Sequence, residues 1–214
     1  MDGFDAQDVI ADEAALRALF PPVSPLAQVK SLPALDRHAR DFIARSPFVC
    51  LGTQGGDGTA DVSPRGDAPG FVEVLGDRLL AIPDRPGNNR LDSLSNILAN
   101  PRVGLLFMVP GFDETLRVNG QARLVRAPEL LERMAVNGRE PRLAVVVAVE
   151  EVFLHCAKAF RRSKLWDPAA RQDRSEMPSL SKMILEQTTG APEDAGEMEK
   201  IDAGLEEAYR KSMY

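Results

Sequence analysis

Between Phe48 and Cys156 the chain is written in short runs of β-branched, aromatic and aliphatic residues, each closed by Gly, Asn, Asp or Pro. That texture constrains the fold more than any other feature. Apolar-rich runs bounded by turn formers read as strands, and strands joined by short turns pair antiparallel. Residues 48–53 meet 59–63 across Gln54-Gly55-Gly56-Asp57-Gly58, and residues 71–75 meet 78–82 around Gly76-Asp77, so two hairpins are predicted. Further strands are predicted over 102–109, 115–125 and 142–156. The last contains Leu143-Ala144-Val145-Val146-Val147-Ala148-Val149, too short to span a membrane and β-branched enough for a core strand. About six antiparallel strands with few helices between them argue for a mainly β fold, a small closed barrel with flanking helices.

Helices are expected at 5–20, stopped by Pro21-Pro22, and at 35–45, ended by Ser46-Pro47. A short helix is expected at 90–98 and another at 128–137, with Pro128 in its first turn. Two more, at 179–187 and 195–213, carry apolar residues among alternating charges and are too polar to form a core of their own. The expected organisation is therefore N-terminal helices packing on the barrel (1–46), the barrel domain (47–168) and a C-terminal helical tail (169–214), which packs on the barrel or on a second subunit.

Charge and composition narrow the partners. A net charge of −6 with 6% aromatic residues lacks the electrostatic footprint of a nucleic-acid binder, so local basic clusters point first to small anionic ligands. No window reaches the roughly 20 apolar residues of a membrane span. The N-terminus lacks a basic and apolar secretory pattern, and Cys50 and Cys156 give neither a disulfide framework nor metal spacing, so a cytoplasmic, reducing setting is expected. Both cysteines sit in strand-like runs and read as buried, inert thiols. His38 and His155 are isolated and build no usual metal site.

The segment Ile82-Pro83-Asp84-Arg85-Pro86-Gly87-Asn88-Asn89-Arg90 carries the chemistry. It is a loop of amide and guanidinium donors opening the short helix, and donors at a helix N-terminus form a seat for phosphate. Arginine adds a planar fork suited to phosphate oxygens. The same residues also suit a solvated loop with asparagine caps. Ser63-Pro64-Arg65-Gly66-Asp67 supplies a second arginine after a strand, or a polar turn. Lys158, Arg161, Arg162 and Lys164 surround the only tryptophan, Trp166, which fits an anionic aromatic ligand or a solvated basic face. Gly52-Thr53-Gln54-Gly55-Gly56-Asp57-Gly58 lacks dinucleotide-binding spacing and reads as a turn, and neither a P-loop nor a G-x-S-x-G elbow is present.

Taken together, the asparagine/arginine loop, the short helix, Asn100-Pro101-Arg102-Val103-Gly104-Leu105-Leu106-Phe107 and Leu116-Arg117-Val118-Asn119-Gly120 resemble the pyridoxamine 5′-phosphate oxidase-like, FMN-binding split-barrel family over roughly residues 42–168. Cys156-Ala157-Lys158-Ala159-Phe160-Arg161-Arg162-Ser163-Lys164-Leu165-Trp166-Asp167-Pro168 is similar to a probable FMN-dependent subgroup with a C-K-A…R-S-x-L-W-D-P signature. The resemblance implies a homodimer of six-stranded antiparallel split barrels with FMN in clefts at the subunit interface. It implies that Arg65 and Arg90 contact the phosphate, with Asn88 and Asn89 on the phosphate side. Pro83 and Asp84 would run beside the flavin ring, and Thr115 stands where relatives often carry glutamine near it. Lys158, Arg162, Ser163 and Trp166 would enter from the partner chain.

True pyridoxamine phosphate oxidases end in an R-[LIVM]-H-x-R motif, whereas this sequence ends Tyr209-Arg210-Lys211-Ser212-Met213-Tyr214, so vitamin B6 oxidation is not expected. The expected activity is that of an FMN-dependent oxidoreductase with a small-molecule substrate or electron donor and no side chain named as catalytic. A flavin-binding or redox-sensing protein without turnover is the alternative. Deazaflavin F420 and haem rank below FMN as cofactors.

Overall fold

The computed structural model describes residues 3–214, and the chain divides into two compact units, Met1–Ser31 and Leu32–Tyr214. The first does not form the single helix expected over 5–20. It holds a 3-10 turn at Ala6–Asp8, helix α1 at Glu13–Ala18 and helix α2 at Pro25–Val29. The break falls at Asp12, whose carboxylate accepts the Ala15 N–H at 2.8 Å. Aspartate stabilises a helix more as its N-cap than within it, so the helix starts there. Leu19, Phe20, Leu26 and Val29 remain exposed.

The second unit is built on one antiparallel sheet. Its strands are β1 (Phe48–Gln54), β2 (Ala60–Gly66), β3 (Glu73–Gly76), β4 (Leu79–Pro83), β5 (Arg102–Met108), β6 (Thr115–Val125) and β7 (Ala144–His155). Their order is β2-β1-β5-β6-β7-β4-β3, so β2 and β3 are edges and the barrel is split rather than closed by hydrogen bonds. Seven strands stand where about six were expected, one for each run named in the sequence, and β3 is only four residues long with an irregular register between Val74 and Gly76. β2 buries no residue fully and contains Pro64, which an edge strand tolerates.

Inward positions alternate along each strand: Val49 and Leu51 on β1, Val103, Leu105 and Phe107 on β5, Leu116 and Val118 on β6. Onto them pack Ala39, Phe42 and Ile43 of α3 (Arg37–Arg45) and Leu94 and Ile97 of α4 (Asp92–Ala99). α3 starts two residues later than expected, where Asp36 accepts the Ala39 N–H at 2.8 Å. β7 reads as an unbroken apolar run because its start is covered on both faces. Val145 and Val147 enter the main core, while Ala144 joins Ala81, Leu130, Leu131 and Met134 in a second cluster under α5 (Pro128–Arg133). α5 ends at Arg133, short of 137, and residues 136–139 form a tight turn instead, in which Val136 and Arg139 pair across Asn137 and Gly138 at left-handed φ angles of 52° and 74°.

A bulge in the β6–β7 pairing falls between Asn119 and Gly120. A Cβ on Gly120 would lie 2.1 Å from the Ala148 carbonyl oxygen, so this position accepts only glycine without a shift of backbone. After β7 come α6 (Lys158–Ser163), α7 (Leu180–Gln187) and α8 (Ala195–Ser212). α6 was expected only as a polar segment, and it ends where Lys164 turns left-handed. Cys50 is half-buried and Cys156 is exposed, correcting the expectation of two buried thiols, since Cys156 lies just beyond the end of β7. Among the described residues no helix is long and apolar enough to cross a membrane.

Candidate functional site

A cleft of about 580 Å3 opens between β2, the β4–α4 loop, the first turn of α4 and the α5–β7 loop. Its volume is that of a small-molecule site. Asp61, Ser63 and Arg65 line it from one face of β2, as the two-residue period of a strand requires.

These side chains form a connected polar floor. Ser93 Oγ, on the first turn of α4, donates to Asp61 Oδ2 at 2.8 Å and lies 2.9 Å from Ser63 Oγ. Thr53 Oγ1 lies 3.3 Å from the same Asp61 oxygen, and Asn96 Nδ2 donates to Thr53 Oγ1 at 3.1 Å. Arg65 donates from Nε to Ser63 Oγ at 3.3 Å and from Nη1 to Asp84 Oδ1 at 3.1 Å. Both ends of the Arg65–Asp84 pair are about four-fifths buried, with side-chain exposures of 21% and 18%. The guanidinium is thereby held in one orientation at the cleft wall.

The loop that opens α4 is fixed by two left-handed residues, Asn89 at φ 57° and Leu91 at φ 62°. Asparagine adopts that region readily, but a bulky leucine there is an outlier that the surroundings must hold in place. This conformation shortens the expected helix, excluding Arg90 and Leu91 from it. No side chain caps the N-terminus of α4, and residues 91–94 line the cleft. Its first amides therefore lie at the cleft wall without a capping side chain. Asn88 Oδ1 instead accepts the Arg90 N–H at 3.1 Å, stiffening the loop itself.

The cleft is not simply basic. Arg65, Arg85, Arg139 and Arg142 line it together with Asp61, Asp84, Asp92 and Glu140, so the formal charges balance. Arg85 is committed elsewhere. Its Nε donates to Asp67 Oδ2 at 2.6 Å and its Nη1 to the Met134 carbonyl at 2.9 Å. The Asp67 side chain is only 3% exposed. Tyr214 completes this cluster, its hydroxyl donating to Asp67 Oδ1 at 2.7 Å and its ring lying 5.8 Å from the Arg85 guanidinium carbon. Burial alone would raise the Asp67 pKa, but the Tyr214 hydroxyl, the Ala68 amide and Arg85 outweigh it and hold the carboxyl below its usual value of 3.8. The same hydrogen bond, with burial, raises Tyr214 above 10.0.

The residues singled out in the sequence separate into two groups. Arg65, Asp84 and Asn89 line the cleft, and Pro83 is buried at the end of β4 beside them. Asn88 and Arg90 belong to the same loop but point to solvent, and Arg90 Nε is paired with Asp92 Oδ2 at 2.8 Å. Thr115 is buried at the start of β6, paired in register with His155. Lys158, Arg162 and Ser163 sit exposed on α6. Trp166 follows, donating from Nε1 to the Phe112 carbonyl at 2.7 Å and stacking on Phe160.

Pro83 and α6 lie at opposite ends of β7: its first residue, Ala144, pairs with Pro83, while α6 follows its last, His155, roughly 35 Å away along the strand. Arg65 is level with the far end, in register through Val49, Phe107 and Leu116 with Leu154. None of Thr115, Lys158, Arg162, Ser163 and Trp166 lines the cleft.

Sequence reasoning did not single out Asp61, Ser93, Arg139, Arg142 or Tyr214 as lining residues. For Asp61 a signal existed, since Asp61, Ser63 and Arg65 alternate on a predicted strand. For Tyr214 none did, because its contact with Asp67 spans 147 residues.

Residues 35–156, more than half of the chain, match the family model described as Pyridoxamine 5′-phosphate oxidase. The chain belongs to that family. By that description the family is one of oxidases, and the match takes in the whole β-sheet and every cleft residue except Ser212 and Tyr214. α6, α7 and α8 fall outside it.

Among solved structures, tagged HupZ of Group A Streptococcus is 15% identical, covers 56% of this chain and 92% of its own, and superposes with a TM-score of 0.46. An FMN-binding protein of Syntrophomonas wolfei is 13% identical over 55% of this chain and 84% of its own, with a TM-score of 0.45. An F420 reductase is 22% identical over 54% and 94%, with a TM-score of 0.38. No curated protein matches the sequence significantly.

Proposed function

We propose that this protein is an FMN-dependent oxidoreductase acting on a small molecule, and that it works as a homodimer. The observation that carries the reading is the juxtaposition, in a family of oxidases, of Arg65, Ser63, Ser93 and the uncapped N-terminus of α4 at one wall of a cleft. A phosphate dianion needs this set: a guanidinium, hydroxyls and backbone amides converging where the helix dipole also favours negative charge.

Two carboxylates at the same wall are compatible with it. Asp61 is engaged by Ser93, and Asp84 aims the Arg65 guanidinium. Asn88, Asn89 and Arg90 would add polar groups at the rim, and Pro83 and Asp84 would flank the ring. When bound, the flavin supplies hydride or electron transfer. The chain supplies the seat, the orientation and the exclusion of water, and no side chain is assigned a proton transfer.

The lining of the cleft supports the homodimer. Thr115, Lys158, Arg162, Ser163 and Trp166 take no part in it within one chain. A second copy would bring its own α6 and Trp166 to complete the cleft, giving two equivalent sites.

The test is direct. The purified protein is titrated with FMN and, separately, with F420, while absorbance and fluorescence are recorded and mass is measured by light scattering. FMN uptake at one per chain in a dimer is expected. A protein that takes up no FMN sinks the cofactor assignment, and uptake by a monomer sinks the shared cleft. Rapid reduction by NADH or NADPH, followed by reoxidation with an added acceptor, is expected of the enzyme. Bound flavin that resists reduction would make the protein a flavin-binding module without turnover.

A further inference from the structure

Tyr214 touches three separate loops, two of which line the cleft. Its hydroxyl donates to Asp67 after β2, its ring lies over Arg85 before α4, and its carbonyl accepts from Arg139 before β7. Each of these partners is far from Tyr214 in sequence; Arg85 and Arg139 line the cleft, and Asp67 directly follows the strand that carries Arg65. Ser212 and Tyr214 themselves line it.

The central ion pair of this cluster is well shielded, since the side chains of Asp67 and Arg85 are 3% and 16% exposed. A carboxylate that dry needs its hydrogen bonds, and Tyr214 supplies one of the three identified at Asp67, beside Arg85 and the Ala68 amide. Tyr214 is thus not an ornament on a finished wall. It fills a valence of the buried pair and ties the pair to the far loop through Arg139.

We propose that Tyr214 is a clasp: a single residue beyond α8 that locks these three loops together and thereby sets how tightly the cleft retains its ligand. The ligand part rests on the flavin reading given above, whereas the clasp itself does not. With the clasp in place the walls are preorganised, so binding orders little further chain and release requires the loops to part. Without it, Asp67 and Arg85 are left to water, the loops loosen, and the ligand leaves faster. The effect falls on dissociation, because a preorganised wall acts mainly on residence time.

The experiment uses the full chain and the variants Tyr214→Ala and Tyr214→Phe. Phenylalanine keeps the ring over Arg85 and removes only the hydroxyl bond to Asp67. Amide hydrogen exchange on the protein without added ligand reads the clasp alone. Tyr214→Ala is expected to speed exchange at least tenfold in the loops around Asp67, Arg85 and Arg139, with β5 and β6 unchanged, and Tyr214→Phe is expected to act mainly around Asp67.

FMN release, followed by fluorescence after dilution, is expected to be at least tenfold faster for Tyr214→Ala and intermediate for Tyr214→Phe. Exchange in those loops indistinguishable from wild type overturns the clasp. Loosened loops with FMN release within twofold of wild type overturn its role in retention. Loosened loops in a chain that takes up no FMN uphold the clasp and sink the flavin reading instead.

Discussion

Replacing Gly120 with alanine is the sharpest test of how this sheet is built. Gly120 occupies the β6–β7 bulge, and its φ is not left-handed, so the need for glycine is one of space rather than conformational freedom. An added Cβ would stand 2.1 Å from the Ala148 oxygen and 3.0 Å from its carbon. Ordinary contact of a carbon with a carbonyl oxygen begins near about 3.3 Å, so β6 and β7 must part locally by roughly 1 Å. Overpacking of this kind costs about 1–3 kcal/mol, and weakening one or two ladder hydrogen bonds adds about 0.5–1.5 kcal/mol each. Against this, alanine lowers the entropy of the unfolded chain by about 0.4–1 kcal/mol.

The net expectation is a loss of about 2–4 kcal/mol, or roughly 5–15 °C in Tm for a chain of this length. Thermal unfolding followed by circular dichroism reads it. Gly204→Ala is the matched control, because Gly204 lies in α8 with nothing within 4 Å of an added Cβ, and it should stabilise by about 0.5–1 kcal/mol. A Gly120→Ala protein melting within 2 °C or so of wild type would refute the reasoning.

Arg65→Ala should weaken FMN binding by about 1.5–3 kcal/mol, the scale of a charged hydrogen bond, as read by fluorescence titration. Arg90→Ala should cost less than about 1 kcal/mol, because that side chain is 73% exposed and already paired with Asp92. Ser93→Ala removes a donor from Asp61 and should lower stability in urea by about 1–2 kcal/mol, with Thr53 still within reach of the carboxylate.

The Asp67 cluster makes a pH prediction of definite sign. A carboxyl whose pKa falls on folding stabilises above its unfolded value, here 3.8, and that contribution is lost as pH drops through the lower folded value. Tyr214, raised above 10.0, contributes below that value and loses its contribution as pH climbs through the folded one. With Arg85 and Tyr214 facing Asp67, the Tm difference between wild type and Asp67→Asn should stay flat from about pH 5 to pH 9 and shrink below pH 3.8. A difference that changes sharply near neutrality would contradict the arrangement.

The strands could be read from the sequence because each is a local pattern. Alternation at Val49 and Leu51, or at Val103, Leu105 and Phe107, needs no knowledge of the neighbour. The split of the barrel was implied only by the family resemblance, because an edge is defined by a partner that is missing. Helix bounds shifted where a single residue decided them, through the capping carboxylate of Asp12 and the left-handed backbone of Leu91.

The site divides the same way. Arg65 and Asp84 stood out as members of two motifs, but their 3.1 Å pairing depends on β2 meeting the end of β4, which no local pattern encodes. The motif ending Val118-Asn119-Gly120 carries the opposite lesson. It helped to reveal the family, yet its glycine lies where two backbones nearly touch, and the fold alone accounts for it. Tyr214 is the converse case, since no motif marks it and it falls outside the family match, yet it bonds the buried Asp67 at the cleft. Residues that announce a family and residues that shape its binding site are therefore overlapping sets, and only contacts, charge and burial tell which residue belongs to which.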